Sequence, residues 1–137
     1  MSTAIPGSVA VAVDVGGTFA DAVARTEKAL AAEGFGILTR IDVAATLKQK
    51  LGEDMAPFLI LGACAPPLAH RAITAAPEIG VLLPCNVVVR ERAGGGIRVE
   101  AIDARTMSAM IRHPEVEQVA AEVAARLGRV LEAVRTG

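Results

Sequence analysis

FLILGACAPPLAHRAITAAPEIGVLLPCNVVV, residues 58–89, holds two strongly apolar runs, a helical stretch between them, and both cysteines of the chain. Residues 58–63 and 81–89 are too short for core helices and rich in Val, Leu and Ile, so they read as buried strands. Pro66 and Pro67 suit the first turn of a helix, where a missing N–H costs nothing. The helix continues over 68–76, with Ala69, Ala72, Ile73 and Ala76 on one stripe, and Pro77 halts it. Cys64 therefore falls between a strand end and a helix start. Backbone N–H groups at such a start stabilise an anion, so the position suits a thiol of lowered pKa. Cys85 follows Pro84 within the second run. Proline cannot donate to a sheet ladder, so Pro84, Cys85 and Asn86 are expected at a sheet edge or a bulge that re-aims the cysteine.

Working outward, GACAPPLAHRA followed by EIGVLLPCNVVVRE, with EGFGILTRIDVAATLKQKLGED upstream, resembles the two well-marked segments of the prokaryotic family called domain of unknown function 302. The likeness runs from about Val9 onward. It implies an α+β domain with an antiparallel sheet, similar to half of a TATA-binding-protein-like fold, that pairs as a homodimer. It implies no activity. The chain departs from the family pattern at Ala65, where many relatives carry Asn, a better helix cap.

The flanking segments fit that class. Val9, Val11 and Val13 alternate with alanines as a first strand. Thr18 with Asp21 has the form of a capping box for a helix carrying Phe19, Ala22, Val23, Thr26, Ala29 and Leu30, ended by Gly34. A second strand over 35–41 leads to a short helix capped by Asp42 and closed at Gly52. The glycines at 94–96 make a hairpin turn into a strand over 97–102. Asp103 caps a short helical turn holding Met107 and Met110. The last helix opens at Pro114 and carries one apolar stripe: Val116, Val119, Val123, Leu127, Val130, Leu131 and Val134. The hairpin rules out a purely parallel sheet, so the expected class is α+β, one domain over 1–137 with 1–7 as a loose tail. Strands apolar at nearly every position ask for cover on both faces. Helices cover one, and a second copy of the chain is expected on part of the other.

Composition narrows function by exclusion. With 53% hydrophobic and 21% charged residues the chain is expected to fold. A net charge of −1 and the absence of Trp and Tyr give nucleic acid neither a basic patch nor stacking platforms. The apolar start is broken by Asp14 and lacks a basic region, no run is long enough for a membrane span, and two cysteines without a signal peptide point to the cytoplasm. Asp14-Val-Gly-Gly-Thr18 resembles a phosphate-contacting turn of actin-fold sugar kinases, but the chain is too short for that fold, and a turn into a capped helix is the reading taken. His70 and His113 lack the spacing of a zinc site, and Cys64 and Cys85 are no CxxC pair; no metal or cofactor is expected.

Two functional readings remain. In the first, which is the one expected, Cys64 and Cys85 form a thiol site for redox or sulfur handling, which requires α-carbons within about 7 Å and reachable sulfurs. In the second, the chain is a non-catalytic module that binds a small molecule in an apolar pocket between sheet and last helix. Leu59, Leu61, Leu82 and Asn86 are the expected lining.

Overall fold

The computed structural model describes residues 3–4 and 8–137. Its strands are β1 (Thr3–Ala4), β2 (Ala10–Val15), β3 (Gly36–Asp42), β4 (Phe58–Cys64), β5 (Cys85–Glu91) and β6 (Ile97–Ile102). Its helices are α1 (Phe19–Ala32), α2 (Val43–Leu51), α3 (Pro66–Ala75), α4 (Arg105–Met110) and α5 (Pro114–Thr136), with a 3-10 segment over Pro77–Leu82. The strands form one sheet in the order β1-β2-β6-β5-β4-β3. Every neighbouring pair is antiparallel. With helices against one face, the fold is α+β. The tail expected over 1–7 lies largely outside the described residues, although Thr3 and Ala4 pair with β2.

Local chemistry explains the element ends. Thr18 accepts a hydrogen bond from the Asp21 N–H at 3.1 Å, one half of the expected capping box. Asp21 turns instead to Arg25, 3.4 Å away. At the other end of α1, Gly34 has φ +85, its N–H reaches Ala31 O, and Phe35 N–H reaches Leu30 O. These two bonds satisfy carbonyls that the helix leaves open, and Gly34 supplies the left-handed turn they need. Asp42 caps α2 through Ala45 N–H at 2.9 Å.

The core lies between the sheet and the long helices. Alternation sends Leu59, Leu61 and Ala63 of β4, Val87 and Val89 of β5, and Val99 and Ala101 of β6 to the helical side, all buried. The whole expected stripe of α5, from Val116 to Val134, is buried, and the helix packs against β2, β6, α1, α3 and α4. Each such Val or Leu contributes about 1.5–3 kcal/mol relative to an exposed side chain. Among the described residues, the other sheet face carries no helix core. There Arg98 holds Asp14 at 2.8 Å and Arg90 holds Glu100 at 2.6 Å. Beside these pairs lie the half-buried Phe58, Ile60 and Val88.

Three sequence expectations are corrected. Residues 81–84 are not strand: Pro77 opens a 3-10 segment there, and Val81 is 88% exposed. Pro84 marks neither an edge nor a bulge. It stands just before β5, outside the ladder where its missing N–H is no loss, and β5 runs in unbroken register between β4 and β6. The register shift falls instead in β3, between Ile37 and Thr39. Finally, α3 buries Leu68 and Ala72 while Ile73 is 43% exposed, so its inner stripe is rotated from the expected one.

Candidate functional site

Sequence puts small residues where α3, α5 and the ends of β4 and β5 meet. Ala63, Ala65, Ala69 and Ala72 face Ala120 across this junction, and methyl groups cannot fill the space that leucines would. A cavity of about 320 Å³ results. Its wall is completed by Phe35 and Leu38 from the start of β3, Leu68 and Ile73 of α3, and Ile79, Gly80, Leu83 and Pro84 of the 3-10 segment and its exit. Met107 of α4 and Val116, Val119 and Val123 of α5 close it. Both cysteines line it as well. None of these side chains is charged, and none carries a hydroxyl or an amide. Sulfur is the only side-chain heteroatom in the wall.

The two thiols are not equivalent. Ala63 pairs with Cys85, and Cys64 follows at the strand end, where it too lines the cavity. Cys64 is half-buried at the strand end, at the rim of the cavity, whereas Cys85 is 5% exposed in its floor. Both are free thiols. Burial, reinforced by the nearby Cys64, pushes the Cys85 thiol up to about 11. At neutral pH that leaves on the order of one thiolate per 10⁴ molecules.

Nor does the start of α3 offer Cys64 the donors expected of a helix N-terminus. Pro66 and Pro67 have no N–H, and those of Leu68 and Ala69 both go to Ala65 O at 3.0 Å. Ala65 itself makes no side-chain cap.

The four expected lining residues do not share this cavity. Leu61 is fully buried in the core, and Leu82 is partly buried against it. Leu59 lines a separate depression with α1, Arg40 and Met55, and Asn86 is exposed on the open sheet face near Glu100. The histidines sit elsewhere too. His70 and His113 border one shallow depression with Arg71 and Glu115, and His113 Nδ1 accepts the Glu115 N–H at 3.1 Å, which makes it the cap of α5. Among the described residues, no group of three or more His, Cys, Asp or Glu is placed to hold a metal ion. No helix among them is long and apolar enough to cross a membrane.

A family profile described as "Domain of unknown function DUF302" matches residues 11–134. The chain belongs to the DUF302 family. Among solved structures, it is similar to an uncharacterized conserved DUF302 protein from Bacillus stearothermophilus, with 30% sequence identity and a TM-score of 0.85. The match covers 93% of this chain and 98% of that one. No curated protein matches.

In this DUF302 chain, what sequence reasoning missed was the part of the cavity wall supplied from outside the central stretch and the last helix. Leu38, 65% exposed, and Met107, 2% exposed, lie 69 positions apart in the chain and carry no shared pattern. The available signal was the run of alanines on α3 opposite a further alanine on α5.

Proposed function

We propose that this DUF302 domain is a non-catalytic binding module for a small, uncharged, apolar molecule held in the cavity between α3, α5 and the strand ends. One observation carries the reading: a space of about 320 Å³ whose wall has no charged, hydroxyl or amide side chain. That is within the usual size of ligand sites, and a buried charge or an unmatched hydrogen-bonding group would be costly there. The exposed Leu38 and Ile73 give the mouth an apolar lip. The thiol reading has weaker support. Cys85 is almost wholly protonated at neutral pH, and the N–H groups at the start of α3 go to Ala65 O rather than to Cys64.

Filling the cavity tests the proposal. Ala72 is 1% exposed in the wall. Ala72→Leu is expected to abolish binding of an apolar fluorescent probe while leaving the thermal midpoint equal or higher, because the added methyl groups occupy existing space. Undiminished probe binding by the folded variant would rule the cavity out as the site.

For assembly, we propose a homodimer in which a second copy covers the apolar part of the open sheet face. Half-buried Phe58, Ile60 and Val88 and the 46%-exposed Ile41 support it. Light scattering is expected to give twice the mass of one chain, and a single-chain mass at micromolar concentration would overturn it. A cytoplasmic setting is part of the same proposal and rests on the two unbridged cysteines.

A further inference from the structure

We infer that the ligand of the cavity is aromatic, an uncharged ring system of about two fused rings, and that the sulfurs of Met107, Cys85 and Cys64 select it over a saturated molecule of the same size. This rests on the binding-module reading and narrows its ligand class.

Size comes first. An engineered apolar cavity of about 150 Å³ holds one benzene ring. The cavity here, at about 320 Å³, is roughly twice that. Charge comes second: a wall without ionic, hydroxyl or amide side chains accepts only an uncharged body, so any polar substituent of the ligand stays at the mouth beside Leu38 and Ile73.

Sulfur separates ring from chain. An all-hydrocarbon wall of this shape would take a saturated molecule as readily as an aromatic one. This wall instead brings three sulfur side chains from three separate elements, β4, β5 and α4, to one space. Sulfur is polarisable and attracts a ring at about 5 Å, often at the ring edge, a loose geometry that lining residues can meet without fixed coordination. Cys85 is buried and remains a thiol at neutral pH, so it presents sulfur without placing a charge in the wall. Met107 is 2% exposed and reaches the cavity from a short helix after β6, although an aliphatic side chain would serve the core equally well there.

The experiment compares naphthalene with its saturated counterpart decalin, each as affinity relative to its own partition from water into hexadecane. Wild type is compared with Met107→Leu, a swap that keeps volume and removes sulfur. Methionine methyl groups carrying ¹³C report where the ring sits, and the variant assigns the Met107 resonance. Naphthalene is expected to bind better than its partition alone requires and to shift the Met107 methyl resonance. Met107→Leu is further expected to weaken naphthalene about two- to tenfold and to leave decalin unchanged. Equal loss for both compounds, or naphthalene binding with no shift at Met107, overturns the aromatic assignment and leaves the apolar-ligand reading standing. Failure of both compounds to bind the folded wild-type protein overturns both.

Discussion

Gly62→Ala is expected to destabilise the fold by about 1–3 kcal/mol, and Gly62→Val by more. Gly62 lies within β4, opposite Asn86 on one side and Thr39 on the other. A β-carbon there would stand 2.2 Å from Thr39 Oγ1 and 2.9 Å from Pro84 Cγ. Thr39 is exposed on the edge strand and can turn its hydroxyl away. The Pro84 ring cannot turn, and moving it displaces the entry to β5 beside Cys85. Thr39→Ala in the Gly62→Ala background is therefore expected to recover only part of the loss, a coupling that a double-mutant cycle in urea measures. Stability of Gly62→Ala equal to wild type would mean that Pro84 is freely displaced.

The second large effect lies at alkaline pH. Cys85 titrates near 9 as an ordinary thiol and at about 11 in the folded chain. A raised value means that the folded state keeps its proton while the unfolded chain has lost it. The contribution is fully present below pH 9 and is lost as pH rises toward 11. At about 1.4 kcal/mol per unit, the loss approaches roughly 3 kcal/mol. Cys85→Val removes the titrating group and keeps the packing. Its denaturation midpoints are expected to fall less than those of wild type over that window, and parallel curves for the two proteins would show that burial of Cys85 does not govern the alkaline limb.

The sequence was most legible where periodicity is local. The seven apolar positions of α5 recur at helical spacing and all face the core, because a long helix against a sheet has one way to bury such a stripe. Thr18, Gly34, Asp42 and Gly52 also read correctly, since a cap is decided within a few residues. The segment after α3 was misread because VLLP has the composition of a strand, whereas Pro77 commits the backbone to a 3-10 turn that leaves Val81 in solvent. The rotated stripe of α3 has a tertiary cause: Leu68 and Ala72 lie on the helix that packs against α5, 42 or more positions away, which no local pattern encodes. The site was the least legible feature. Leu59, Leu61, Leu82 and Asn86, the lining expected between sheet and last helix, disperse to the core, a second depression and the open face. The cavity comes from missing volume, which appears in sequence only as a choice of alanine.

The strand order carries a consequence for how the chain reaches this state. β2 and β3 are joined by a single helix, yet they sit apart in the sheet with β4, β5 and β6 filling the gap. Val13 waits for Val99, and Ala10 for Ile102, across most of the polypeptide. During synthesis, β2 has only two-residue β1 beside it until β6 has left the ribosome. Closure of the sheet is thus a late, loop-costly event, and the nascent N-terminal half exposes an apolar strand edge for nearly the whole of its translation.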